Sequence, residues 1–563
     1  MDFIKKHHRA LFFSVWLILN LVQAATTELF DDEAYYWIYS QYPDWGYFDH
    51  PPMIAWLIKI GYSLFQNELG VRLLVVLLNT LSVYFILRLT ERKNDLLFYV
   101  IVASIAVAQI GGIIAVPDIP LLFFVALFFI QYRTFVKDTN LLNSFLLGLC
   151  IALMLYSKYH GILLVLFTIV SNPKLLTKYY TYIAAAVAII LFSPHIYWQF
   201  THGFPSIKFH LFERNAVRYR FSFTAEYLLG QIALAGPIIG FLFLWTASKQ
   251  KPISLSEKAM KYSFVGVYAM FLLSTFKGRV EANWTVPAFV GLIVLAHHYI
   301  NDQRRLTKWI YATLPFSLAL VFAARIFMMM DLPASKLISK DEFHDNVTAA
   351  NAIKSIAGPL PLVVIDSYQK PSKYIFYGRG SAFSLNTPWY RRNNYNYWPM
   401  EDSLIGKPAY VVGPAIDPFT KRETIFHDTI AAPQFSNYRG LLVKEFFSFS
   451  KIHIENIRAI TTSVGTIHIS CRMKSPIHYL PLFKAQPYAS SLVFLTTYNV
   501  KGDVSAYLPS KFKVEYISSA NLTVEFDVAH SLPAGQYRSK LGVGSCLPGY
   551  PSLNSTSFDF EIK

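Results

Sequence analysis

Apolar stretches near membrane-spanning length recur along the N-terminal part of the chain, at about residues 11–27, 69–89, 95–116, 119–136, 141–157, 160–172, 179–196, 226–247, 260–276, 285–300 and 308–328. A bilayer core takes about 20 apolar residues to cross as a helix. The pattern therefore predicts a membrane all-α, polytopic bundle of about 11 transmembrane helices over residues 1–330, the 160–172 stretch being the shortest. Beyond about residue 330 no spanning-length run returns, and Ser, Asn, Pro and Tyr become frequent, as in a soluble appendage. A helix near 341–356 and apolar β-type runs at Pro361–Ile365 and Ala409–Val412 predict a small α/β domain over 331–440. Runs at Ile452–Ile457, Thr466–Cys471, Ser491–Thr497 and Leu522–Val528 predict a β-sandwich over 441–563.

Composition agrees with the pattern. With 54% hydrophobic and 15% charged residues in 563 and a mean hydropathy of +0.34, the chain is too apolar for a soluble protein of its size. A net charge of +16 would point to nucleic acid in a soluble chain. Here the cations fall in alternate loops: Lys5, Lys6, Arg9, Arg88, Arg92, Lys93, Arg133, Lys137, Lys174, Lys178, Lys249, Lys251, Lys258, Arg304, Arg305 and Lys308. All are cytoplasmic if the N-terminus is inside, which sends the C-terminal region outward. The first segment also has the features of a cleavable signal peptide, with Val22-Gln23-Ala24 as a processing site; an uncleaved helix is the expectation, because the acidic segment after it needs an anchor on both sides. Of three cysteines, Cys150 falls in a predicted helix, while Cys471 and Cys546 lie in the outward region, where an oxidising compartment would allow a disulfide.

The outward loops of this topology hold the candidate chemistry. Residues 28–68 contain Asp31, Asp32, Glu33, Asp44, Asp49 and His50 among the rings of Tyr35, Tyr36, Trp37, Trp45 and Tyr47. Asp118 sits between two prolines; Lys158 lies in Ser157-Lys158-Tyr159-His160; residues 194–225 bring His195, His202, His210, Arg214 and Arg218; and Lys277-Gly278-Arg279 precedes Asn283-Trp284. Plain readings exist for each: a solvated loop for the acids, a helix cap for Asp118, and an interfacial belt for the aromatics. Lys158, Lys277 and Arg279 nevertheless break the positive-inside pattern, and a bound phosphate would explain cations on the outer face. Arg72 reads either as a phosphate contact or as a partner of Glu68.

In order along the chain, Asp32-Glu33-x-Tyr-Tyr, Tyr47-Phe48-Asp49-His50-Pro51-Pro52, Pro117-Asp118-x-Pro, Ser157-Lys158-Tyr159 and Lys277-x-Arg279-x-x-x-Asn283-Trp284 resemble the dolichyl-phosphate-mannose protein mannosyltransferase-like family. The resemblance is to its bacterial branch, with the lipid A aminoarabinose transferase, in glycosyltransferase superfamily C. It covers roughly residues 8–330, and Ser367–Trp398 is similar to the soluble tail of bacterial members. It implies an inner-membrane enzyme that moves a sugar from a polyprenyl-phosphate donor to a lipid, protein or glycan hydroxyl on the periplasmic face, with inversion.

Under that reading Asp32 is the base, with Glu33 and Asp118 as the other catalytic acids; Lys158, Lys277 and Arg279 hold the donor phosphate; and Tyr35, Tyr36, Asp49, His50, Asn283 and Trp284 contact substrate. His50 replaces a lysine of the aminoarabinose branch. A divalent metal is optional, since a few cations can neutralise a monophosphate, and Asp49 with His210 is the pair that would echo a metal site of that branch. The alternatives are a lipid-linked sugar flippase or transporter, for which mid-membrane charge and inverted repeats are expected, and a polysaccharide ligase.

Overall fold

The computed structural model describes residues 2–91, 94–214, 219–332, 341–417, 423–463, 465–499 and 502–562; Arg92, Lys93 and Arg218 lie outside them. The chain divides into two compact units, Met1–His344 and Asp345–Lys563.

Unit 1 is helical: α1 (Asp2–Thr26), α2 (Asp31–Gln41), α3 (Met53–Leu64), α4 (Glu68–Leu89), α5 (Asp95–Ser104), α6 (Ala106–Gln109), α7 (Asp118–Lys137), α8 (Leu141–Ser157), α9 (Gly161–Ser171), α10 (Tyr179–Thr201), α11 (Pro205–Lys208), α12 (Phe221–Ala235), α13 (Gly240–Lys249), α14 (Leu255–Ser274), α15 (Phe289–Asn301) and α16 (Arg304–Met329). Side chains of Asn67, Asn94, Asn140 and Ser254 accept backbone N–H groups at the starts of α4, α5, α8 and α14, satisfying donors that a helix start otherwise leaves open.

Every predicted apolar stretch is largely helical, but not every one is a straight rod. Among the described residues five helices are long and apolar enough to cross a membrane, or seven if each of two bent pairs counts as one span, whereas about eleven crossings were expected. The chain is a multi-pass membrane protein. The stretch 95–116 bends by 84° after α5, and 226–247 bends by 91° between α12 and α13. The two breaks touch. A Cβ on Gly236, whose φ is +148°, would lie 2.9 Å from the Ser104 carbonyl oxygen, so both the backbone conformation and the close approach require glycine there. Groups near the first break find partners in Arg325 of α16, whose guanidinium donates to the Gln109 carbonyl at 2.6 Å and to Asn20 Oδ1 at 2.6 Å.

Helix α4 measures the bundle. Its 22 residues span about 33 Å, from Arg72 near its start to Arg88 near its end. At the Arg88 end Arg9 pairs with Asp95 at 2.5 Å, and His298 meets Glu257 at 2.8 Å and the Thr90 carbonyl at 3.2 Å. The candidate site occupies the opposite end. There the expected loop 28–68 is mostly α2 and α3.

Unit 2 holds α17 (Asn346–Ala357), β1 (Leu362–Ile365), α18 (Gln369–Gly378), β2 (Ala382–Leu385), β3 (Lys407–Pro414), β4 (Asp428–Thr429), β5 (Tyr438–Phe446), β6 (His453–Ser463), β7 (Thr466–Lys474), β8 (Leu492–Tyr498), β9 (Val504–Lys513), β10 (Asn521–Ala529), β11 (Gly535–Val543), β12 (Ser552–Leu553) and β13 (Phe558–Ile562). The first sheet runs β2-β1-β3-β5-β4, with β1 parallel to β2 and β3 and the rest antiparallel. The second is one antiparallel path, β12-β11-β8-β9-β10-β7-β6, with β13 on β11; Val528↔Ser510 joins its halves, and Ile454 of β6 returns to pair with Ser555. Strand β5 carries the first sheet past residue 440. Cys471 and Cys546 are free thiols in the core of the second sheet rather than a disulfide, and Cys150 is a part-buried thiol of α8.

Asp366, at the end of β1, has a left-handed φ of +53° and accepts the Thr387 N–H at 2.8 Å and the Thr387 hydroxyl at 2.7 Å. Burial pushes its carboxyl up to about 7 against those hydrogen bonds. The folded state therefore holds this proton more tightly than the unfolded chain between about pH 4 and 7, so the group's contribution falls as pH rises through that window and is flat above it. Hydrogen exchange of the β1 amides, corrected for intrinsic rates, is expected to show opening that grows by up to about tenfold per pH unit there. Asp366→Asn flattens this slope; an unchanged slope in the variant contradicts the assignment.

Candidate functional site

Asp31, Asp32 and Glu33 form the first turn of α2, where negative charge meets the positive end of the helix dipole. Glu33 reaches back to the Phe30 N–H at 2.9 Å in the manner of a capping box. Its carboxylate also takes Arg72 Nε at 2.7 Å and Nη2 at 2.6 Å, a two-pronged grip between side chains with almost no solvent exposure. The remaining Arg72 N–H groups donate to the Ala24, Thr27 and Glu28 carbonyls. One cation thus fastens the end of α1, the start of α2 and α4 together.

Glu33 Oε1 also accepts the Ala115 N–H at 2.7 Å, which pins the turn before α7 against the first turn of α2. Asp118, three residues further on, does not cap its own helix. Its Oδ1 takes Lys158 Nζ at 2.8 Å and its Oδ2 takes Asn283 Nδ2 at 3.0 Å. Both members of the Asp118–Lys158 pair are buried. The starts of α2 and α7, the end of α8 and the segment before α15 therefore converge through hydrogen bonds of two carboxylates.

The 44–50 segment is held from α10, α11 and the Phe209–Glu213 turn after it. His195 Nδ1 donates to the Trp45 carbonyl at 2.7 Å, Trp198 Nε1 to Asp44 Oδ2 at 2.8 Å, Ser206 to the Tyr47 carbonyl at 3.0 Å, and His210 Nε2 to the Asp49 carbonyl at 3.0 Å. Tyr159 donates to His195 Nε2 at 2.9 Å and receives Gln199 Nε2 at 3.0 Å, linking the end of α8 to the same cluster. Burial lowers the His50 imidazole well below the usual histidine range, with the Lys158 charge adding to the effect. It is neutral near pH 7.

Several expected roles change with these positions. Glu33, expected as a catalytic acid, is engaged by Arg72, Phe30 and Ala115. Arg72 pairs with Glu33, not Glu68. Tyr35 and Tyr36 are buried, with Tyr35 donating to Asp49 Oδ2 at 3.1 Å beside Tyr39 at 3.3 Å; they fill the core and leave no open face for sugar stacking. Neutral His50 brings no positive charge to a phosphate. Lys277 is exposed, and Arg279, 65% exposed, lies 3.4 Å from Glu226; Asp118 bonds Lys158 and Asn283 instead of either. Arg214, named only as a loop cation, sits 4.7 Å over the Trp284 ring. Gln199, Ser206 and Tyr39 were missed, being neutral side chains whose task is visible only once distant loops meet.

The Asp49 and His210 pair does not fit a metal. His210 is turned to the backbone carbonyl of Asp49, and the Asp49 carboxylate serves two tyrosines. Among the described residues no group of three or more His, Cys, Asp or Glu could hold an ion.

Fold and site define a multi-pass membrane protein with paired buried charges and solvent-exposed cations at one end of its bundle. Residues 49–198 match the family described as dolichyl-phosphate-mannose-protein mannosyltransferase. The chain is 24% identical over 302 residues to the lipid A galacturonosyltransferase RgtD of Rhizobium johnstonii, taking in 50% of this chain and 63% of that protein. It is 25% identical over 311 residues to an uncharacterised protein of Aquifex aeolicus, taking in 50% and 61%. The match thus spans less than two thirds of either relative. The fold is similar to that of ArnT from Cupriavidus metallidurans, solved with undecaprenyl phosphate, with a TM-score of 0.56 and 15% identity over 77% of this chain and 97% of that one. The resemblance read from the motifs is therefore carried by a sequence segment, by a bacterial lipid A transferase and by the fold.

Arg72→Met is expected to destabilise unit 1 by about 3–5 kcal/mol, because it leaves Glu33 charged and buried without its partner. Adding Glu33→Leu should make the double variant less damaged than the two single losses combined. Thermal unfolding of all three in detergent checks this, and simple additivity would contradict the pairing.

Proposed function

We propose that the protein is a glycosyltransferase that moves a sugar from a polyprenyl-phosphate donor to a hydroxyl of a lipid acceptor at the outer, periplasmic face of the inner membrane. The observation that carries this reading is the convergence on Asp118 of Lys158 and Asn283, beside the α2 turn that bears Asp32. A carrier would put its charges in mid-membrane; here the acids and cations gather at the Arg72 end of α4. RgtD and ArnT, one a lipid A transferase by name and the other bound to undecaprenyl phosphate, support both donor and acceptor class.

In the proposed step Asp32 accepts the proton of the acceptor hydroxyl as its oxygen bonds the sugar's anomeric carbon. The bond from that carbon to the phosphate oxygen breaks, and its electron pair leaves with the polyprenyl phosphate. Attack opposite the leaving group inverts the anomeric centre. Asp32 suits this task because Glu33, its neighbour, fixes the turn that presents it. Asp118, neutralised by Lys158, positions Asn283 and Trp284 without adding a bare negative charge beside the phosphate.

Cations near the rim, Arg214 over Trp284 and Lys277 and Arg279 on the preceding connector, offset the departing phosphate charge, an electrostatic contribution of the kind that dominates many transfer reactions. Acceptors other than a lipid, namely a protein or a glycan, fit the same chemistry.

Asp32→Asn should lower transfer from a polyprenyl-phosphate sugar by about 10²–10⁴-fold, the range expected when a general base is removed, with unchanged expression and thermal unfolding. Thin-layer or mass analysis of the glycolipid product measures it. Near-normal transfer by the variant would refute Asp32 as the base.

A further inference from the structure

A cavity lies in unit 2, far in sequence from the residues of the proposed transfer site. It occupies about 460 Å³, within the roughly 300–1,000 Å³ typical of small-ligand sites. Its walls come from both sheets: Val443 and Glu445 on one face of β5, Phe447 after it, the Pro487–Leu492 segment, Phe494 of β8, and Gly544–Cys546 after β11. Junctions between packed layers are where such sites tend to form. Strand β4 pairs with β5 only at Arg439 and Gly440, so the part of β5 that lines the cavity lies beyond that pairing.

The lining selects a chemistry. Glu445 is an exposed carboxylate held by the Tyr488 hydroxyl at 2.8 Å; a carboxylate can take about four hydrogen bonds, and Tyr488 supplies one. Ser490, Ser491 and Ser545 line the same cavity; the Ser490 hydroxyl donates to the Pro487 carbonyl and the Ser545 hydroxyl to the Tyr550 carbonyl, so what these two oxygens offer a ligand is lone pairs. Phe494, stacked on Tyr507 at 4.5 Å, gives a fixed aromatic wall, and Phe447 gives a buried apolar one. Gly544 keeps the space open, since a Cβ there would come within 3.3 Å of the Phe494 ring. No Lys, Arg or His is among the lining residues, and a carboxylate at the mouth repels phosphates and other anions. A wholly apolar ligand would displace water from Glu445 without replacing its hydrogen bonds.

We infer that this cavity binds a neutral saccharide, with Glu445 accepting hydrogen bonds from its hydroxyls and Phe494 and Phe447 covering its apolar face. The site is separate from the transfer chemistry and does not rest on it.

Saturation-transfer NMR on the full chain in detergent, with methyl α-galactoside, methyl α-glucoside and lactose as probes, tests the assignment. At least one probe should receive saturation from the wild type. Glu445→Gln should weaken its binding at least tenfold, and Ser490→Trp, which fills the mouth from an exposed position, should abolish it. Both variants should unfold as the wild type does. Absence of transfer to every probe from the wild type, or equal transfer from wild type and both variants, would overturn the proposal.

Discussion

A charge can stay at the end of an apolar helix bundle only if another charge or a set of polar groups meets it, because removing an ion from water costs far more than an unpaired site can return. Unit 1 is organised by that constraint. Glu33 needs Arg72, Arg72 needs three carbonyls of the α1–α2 link, and Asp118 needs Lys158 and Asn283. Segments separated by more than two hundred residues are thereby bound to one small volume. Side chains that merely filled space would leave these helix ends free to slide; directional charge-assisted bonds do not.

The same economy separates positioning from chemistry. The groups with the most complete hydrogen bonding, Glu33 and Arg72, hold the frame together with Asp118, which takes both Lys158 and Asn283. The groups that the proposed transfer assigns to substrate stand next to them: Asp32 beside Glu33, Asn283 beside Trp284, and Arg214 above that ring. The 44–50 segment follows this logic too, since His195 of α10, Ser206 of α11 and His210 just after it grip its carbonyls.

Much of this was legible in the sequence. Periodic apolar runs located every long helix of unit 1, and the cations that broke the positive-inside pattern pointed to the end where Lys158 now meets Asp118. The breaks at Ser104 and Gly236 were not legible, because hydropathy measures apolar content and not direction. The partner of Arg72 was equally hidden: Glu68 is one turn away in sequence, and only the fold brings Glu33 closer. In unit 2, strands rich in β-branched residues such as β7 and β10 were read correctly. Strands β9 and β11, interrupted by Pro509, Lys511 and Gly542, carry too little alternation to be seen.

The most direct test of the account is to reconstitute the purified chain in bilayers with a labelled polyprenyl-phosphate sugar and a glycolipid acceptor, and to follow the label and the anomeric configuration together. The account predicts sugar on the acceptor with inverted configuration and one polyprenyl phosphate released per transfer. Label that crosses between leaflets while still attached to its original lipid, with no glycolipid product, would contradict it.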